Sequence, residues 1–318
     1  MRSGRSLDLP RRREDLVDKP QSTRLSVLIP FAIVTLIWGS TWLVIKDQLA
    51  SVPPSWSVAY RFAIGGVAML IWAWLRKDSL GLDRRGMLFA FLLGFAQFVL
   101  NFNFVYRAEQ HITSGVVAVV FALLLVPNAV LARLFLGQRM GRQLAAGSVV
   151  AVAGVALLFV HEARLSQAGT SETLIGIGLS LTAVLCASSA NVMQATQTSK
   201  AYPMSTMIGW AMLSGAAANA LFALATVGAP VFDTRPSYLA GLLYLGVLGS
   251  AFAFSLYFRL IQTIGPAKAA YTSVLIPVIA MLLSTLFEGY VWSWIAAAGA
   301  ALVMAGLVIA LKARRPNR

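Results

Sequence analysis

Charge is scarce in this chain. Only 12% of the 318 residues are Asp, Glu, Lys or Arg, where a soluble domain carries about a quarter. A single cysteine, Cys186, excludes an intramolecular disulfide and suits a small packed hydrophobe. The two histidines, His111 and His161, stand apart from any Cys or Asp cluster, so no metal site is expected. No nucleophile triad or phosphate-binding loop appears either, which weighs against a membrane protease, a phosphatase or an ATP-driven pump. No cofactor is expected.

Apolar residues fill the space instead. They make up 58% of the chain, with a mean hydropathy of +0.75. They come in runs near the ~20 residues that a helix needs to cross hydrocarbon. The pattern predicts an all-α multi-pass membrane protein with ten transmembrane helices, over roughly 25–45, 56–75, 86–106, 112–136, 143–161, 173–198, 204–228, 237–263, 266–287 and 291–311. The formal charge of +14 is unevenly placed: with both ends cytoplasmic, 21 of the 26 Lys and Arg fall on the cytoplasmic side and 5 on the other. Retention of positive charge on that side orients the chain in the cytoplasmic (inner) membrane. The partner of this surface is the lipid bilayer, not nucleic acid. Residues 1–24 read as a disordered tail and not a cleavable signal, and 313–318 as a second cytoplasmic tail.

An internal repeat organises the remainder. "LAAGSVVAVAGVALL" (144–158) resembles "IAAAGAALVMAGLVI" (295–309), with Gly147 and Gly154 lying 152 residues before Gly299 and Gly306. Gly94 and Gly246 keep the same offset. The expected units are 25–163 and 170–312, each with five spans. Five is odd, so the second copy enters from the opposite side, giving two inverted five-helix repeats as in many secondary transporters.

Polar residues within the spans are the candidate site. Gly94, Gln97, Asn101 and Val105 form a stripe at helical spacing, and so do Thr35, Trp38, Trp42 and Lys46. Asn191 belongs to a third stripe. Amides are costly against lipid and face the bundle interior or a wet cavity. Two readings stand side by side: contact with a solute, or hydrogen bonds between helices. Trp38 and Trp42 either wall a cavity or pack the core. The Gly pairs of the fifth and tenth spans suit close helix approach. Pro127 and Pro277 are expected to kink the fourth and ninth spans, as hinges or as fixed shape. Trp56, Trp72, Trp74, Trp292 and Trp294 suit the bilayer interface. Lys46, Arg61, Arg107, Arg259 and Lys268 lie within snorkelling reach of an interface, Arg61 being the deepest cation. Glu109 and Glu288 sit at span ends.

The ordered segments "IWGSTWLVIK" (37–46), "AYRFAIGGVAML" (59–70), "HITSGVVAVVFALLLVP" with "LGQRM", and "IGPAKAAYTSVLIPVIAMLLSTLFEGYVW" (264–292) resemble the EamA-type transporters of the drug/metabolite transporter superfamily. The resemblance covers residues 26 to 312. It implies a ten-helix permease with a central cavity walled by the first, third, fourth, sixth, eighth and ninth spans. Residue by residue it points to Trp38, Ser40, Trp42, Gln97, Asn101, Phe121, Asn191, Tyr257 and Tyr271 as substrate-binding. Glu288, Glu109, Arg61, Pro127 and Pro277 are candidates for coupling or gating. The usual Gly-Glu after the fourth span is Gly137-Gln138 here, and the proline of that span normally precedes Pro127 by two positions. The expected function is secondary transport, by alternating access, of a small neutral or zwitterionic metabolite such as an amino acid. Export is the first reading; uptake or facilitation, a channel or scaffold, and a membrane enzyme are the alternatives. Proton coupling and oligomeric state are left open.

Overall fold

The computed structural model describes residues 21–137, 142–165, 170–264 and 272–311. Tyr271, Gln138, Lys268 and most of both expected tails lie outside them. The described chain is helical: α1 (Gln21–Gln48), α2 (Pro54–Leu75), α3 (Arg84–His111), α4 (Ser114–Leu136), α5 (Arg142–Leu165), α6 (Thr170–Gln194), α7 (Met204–Thr226), α8 (from Pro236 to Ile264), α9 (Thr272–Phe287) and α10 (Trp294–Leu311). The first eight contain stretches long and apolar enough to cross a membrane, and α9 and α10 contain shorter apolar ones.

Local chemistry sets the helix ends. Asp83 is the N-cap of α3, its Oδ1 accepting from the Gly86 amide at 2.7 Å. Proline opens α2 and α8, where its missing N–H costs no hydrogen bond. Gly137 closes α4 in the left-handed region at φ 67°, a conformation that penalises a Cβ. Within α4 a 3₁₀ turn spans Ala122–Leu124. Pro127 cannot donate to the carbonyl four residues back, at Leu123, so the change of winding falls where that bond is missing.

Helices α3 and α8 each carry a π-helical stretch, Phe95–Asn101 and Tyr244–Phe252. The two sit at nearly the repeat offset. Nothing in the apolar periodicity announces them.

Packing partners are exchanged between the halves. Helix α5 lies along α10, α2 along α7, α1 against α8 and α9, and α6 against α3 and α4. At the α5–α10 crossing a Cβ on Gly147 would stand 2.4 Å from the Gly306 carbonyl oxygen, and one on Gly154 would stand 2.6 Å from that of Gly299. The earlier glycine of one helix therefore meets the later glycine of the other, and the two helices run antiparallel. Likewise Gly94 abuts the Ala211 carbonyl of α7, and Gly246 abuts the Arg61 carbonyl of α2. One buried cluster unites α2, α3, α7 and α8 around Phe62, Phe98, Met212 and Leu245; another joins α4, α5 and α10 around Val117, Leu158 and Val303. Large apolar side chains such as Leu134, Val149 and Leu221 point outward, as suits a surface solvated by lipid.

Two sequence expectations are corrected. Trp56 is buried, 4% exposed and stacked on Tyr60, unlike the exposed Trp74 and Trp294. Arg61 does not reach an interface: at 3% exposure it lies inside the bundle.

Candidate functional site

Trp38 projects from α1 toward α8. Its indole Nε1 donates to the Gly249 carbonyl at 3.1 Å, and its ring lies 5.0 Å from Tyr257 and 5.4 Å from Phe254. That carbonyl belongs to the π stretch of α8, where regular i→i−4 pairing is interrupted. One turn further, Trp42 packs on Phe121 of α4 at 5.1 Å, and its Nε1 is buried without a partner. Phe121 immediately precedes the 3₁₀ turn. Ser40 faces Tyr244, the hydroxyls 2.6 Å apart, and so ties α1 to α8.

Gln97 and Asn101 lie in the π stretch of α3, 8% and 2% exposed. Their side-chain oxygens, Oε1 and Oδ1, are buried and unpartnered. Asn191 behaves differently: its amide donates to Asn128 Oδ1 of α4 at 3.4 Å, so the interhelical reading holds there. Asn128 escaped the sequence analysis, as did a buried chain in which Ser55 donates to Asn103 and Asn103 donates to Asn219. Their polarity was a visible signal, but their mutual contacts depend on helix pairing.

Arg61 sits beside this set. Its Nε is 3.3 Å from Ser250 Oγ, its guanidinium lies over the rings of Phe102 (4.5 Å) and Phe62 (5.3 Å), and Nη1 has no partner. Glu109 is fully buried and neither carboxyl oxygen is hydrogen-bonded; Lys46, Arg61 and Glu288 are all within electrostatic range of it. Lys46 donates to the Glu109 backbone carbonyl. Glu288 has a structural role: Oε2 accepts from the Ser114 amide at 3.2 Å and from the Ser114 hydroxyl at 2.9 Å, capping α4 across the bundle. Its Oε1 stays unpartnered.

A cavity of about 350 Å³ opens where α1, α3 and α5 end and α6 begins, and a second of about 270 Å³ is apolar and lies between α4, α9 and α10. Pro277 lines the second. Lys46 lines the first, together with Glu162 and Tyr290, two residues that sequence reasoning missed because only the fold brings them together. Neither cavity is lined by Trp38, Gln97 or Asn101. Among the described residues, no group of three or more His, Cys, Asp or Glu could hold a metal ion.

Comparison with known proteins adds the family. The EamA-like transporter family matches residues 25–160 and 174–312. The inner membrane transporter YedA of Escherichia coli is 30% identical over 254 residues, 79% of each chain. PagO of Salmonella typhimurium is 27% identical, covering 84% of this chain and 86% of its own length. A solved crystal structure superposes with a TM-score of 0.67 over 92% of this chain and 98% of that one, at 21% identity, a likeness of fold. A multi-pass helical bundle in which one transporter model matches each half has a plain assignment: the chain belongs to the EamA-like transporter family.

Proposed function

We propose that this membrane transporter carries a small neutral or zwitterionic metabolite, such as an amino acid, by alternating access between two inverted five-helix repeats. One observation carries the solute pathway. Gln97 Oε1, Asn101 Oδ1, Trp42 Nε1 and Arg61 Nη1 are buried polar atoms without partners, on three adjoining helices. An unpaired buried polar atom costs about 1–3 kcal/mol, and such atoms in a membrane bundle are retained where a passing polar solute pairs with them. The exchanged packing of α5 with α10 and α2 with α7 supports the inverted repeat, since each half offers the other the same surfaces. Two arrangements of similar energy, one open to each side, follow from such symmetry. Both ends are cytoplasmic in this reading, which rests on the Lys and Arg asymmetry, and the direction is export.

The test is counterflow in proteoliposomes. A carrier transiently accumulates labelled amino acid against unlabelled amino acid inside, and a pore does not. Asn101→Leu is expected to abolish the accumulation while gel filtration shows folded protein; unchanged kinetics would remove Asn101 from the pathway. Inside-out and right-side-out vesicles assign direction.

A further inference from the structure

The 350 Å³ cavity is at the end of the bundle opposite the start of α1, and its volume lies within the about 300–1,000 Å³ of small-molecule sites. Both charge signs line it: Lys46 from the end of α1 and Glu162 from the end of α5. His111, also in the lining, is paired with Glu172. Among the described residues no ion pair engages Glu162. Two further lining groups are polar and unsatisfied. The Tyr290 hydroxyl is unpartnered although the residue is only 7% exposed, and Thr113 Oγ1 is buried without a partner at the start of α4. Burial and the Glu162 charge push the Tyr290 phenol up, so at neutral pH it stays a neutral hydroxyl that both donates and accepts.

We propose that this cavity is a second solute site, at the mouth of the pathway, built for a zwitterion whose ammonium group meets Glu162 and whose carboxylate meets Lys46. Tyr290 accepts from the ammonium, and Thr113 donates to the carboxylate. Inward, the Lys46 amine touches the Glu109 backbone, and Glu109 lies within range of Arg61, so polar groups lead from the mouth to the buried set. A simple anion leaves Glu162 unpaired beside it, and a simple cation leaves Lys46 uncompensated. The site deepens the transport reading and rests on it for its role, while its occupancy can be measured separately.

The experiment is calorimetric titration of the purified full-length protein with L-leucine, 3-methylbutylamine, which keeps only the ammonium, and 4-methylpentanoate, which keeps only the carboxylate. Leucine is expected to bind about fivefold tighter than either analogue, the scale of one ion pair at a partly solvated site. Glu162→Gln should erase the preference over 4-methylpentanoate, and Lys46→Met the preference over the amine. Tyr290→Phe should weaken leucine a few-fold. Lys46→Gln replaces Lys46→Met if the latter fails to fold. Equal binding of leucine and the amine to the unaltered protein overturns the zwitterion assignment, as does a preference that survives both substitutions. Asn101→Leu should lose counterflow and keep the charge preference. Preference intact without any counterflow in the unaltered protein sinks the transport reading and leaves the site standing; counterflow without preference sinks the site alone.

Discussion

The two halves share a scaffold and differ in what it carries. In the first half α3 brings Gln97 and Asn101 into its π stretch; 152 residues later the π-bearing α8 has Gly249 and Ala253. By contact, though 150 and not 152 residues apart, Arg61, whose carbonyl abuts Gly246, takes the place of Ala211, whose carbonyl abuts Gly94. Backbone contacts are thus repeated while the polar load sits on one side. Helix crossings depend on small residues and can be duplicated intact, whereas recognition of an asymmetric solute needs different groups on its two sides.

The loops repeat the comparison at the two ends. Asp83 accepts from the Tyr202 hydroxyl of the other half, and Asp233 accepts from Ser51. Hydrogen bonds from Tyr202 and the Gly86 amide lower the Asp83 carboxyl, and those from Ser51, the Arg235 amide and the Arg235 side chain bring Asp233 down to about 2.

The largest expected effect tests the shared scaffold. Gly306→Leu, where even a Cβ would sit 2.5 Å from the Gly147 carbonyl oxygen, should cost about 3 kcal/mol or more and abolish the monodisperse gel-filtration peak. Gly178→Ala, with nothing within 4 Å, should leave the peak in place. Next is the asymmetry itself: Asn101→Leu should reduce initial counterflow more than tenfold, and Ala253→Leu less than about threefold, in keeping with the range for a lost polar contact. Equal losses would make the two sides functionally alike. Trp38→Ala should then raise the half-saturation of aromatic solutes about tenfold and of alanine little, since stacking is worth about 0.5–1.5 kcal/mol. Glu288→Ala should cost about 1 kcal/mol through the lost cap on α4, and Glu288→Gln less, because an amide oxygen still accepts from Ser114; thermal unfolding in detergent ranks them.

The smallest effect concerns the loops. Both aspartates have lowered pKa values, so their contribution is present above the unfolded value of about 3.9 and, for Asp233, is lost as pH falls through about 2. Melting temperature should therefore not change between pH 7 and 5 on their account. Asp83→Asn or Asp233→Asn should shift it by no more than about 2 °C, as exposed pairs do. A larger loss from one alone would show that the two ends are not equivalent.

How far the sequence announced this arrangement depends on what each residue obeys. The Gly147/Gly154 and Gly299/Gly306 pairs were legible because close approach demands the same residue twice at one spacing. Gln97 and Asn101 were legible because an amide inside an apolar run stands out against its surroundings. Arg61 was misplaced toward an interface: its long side chain permits snorkelling, and only the Phe62 and Phe102 rings and Ser250 show where the guanidinium goes. Glu162 and Tyr290 were invisible as a pair, being 128 residues apart on different helix ends. The role of Glu288 as a cap was hidden for the same reason, since its acceptor geometry depends on where Ser114 arrives.

The π stretch of α3 has a mechanical corollary. A wide turn accommodates a surplus residue, so everything beyond it is rotated by roughly 100° from where continuous α winding would leave it. Tyr106 and Glu109 owe their inward aim to that swivel. Forcing the same number of residues into regular α winding would swing this carboxyl toward a neighbouring face and detach the mouth of the bundle from its interior. Removing one residue between Phe95 and Asn101, by contrast, takes out the surplus and leaves Glu109 aimed inward.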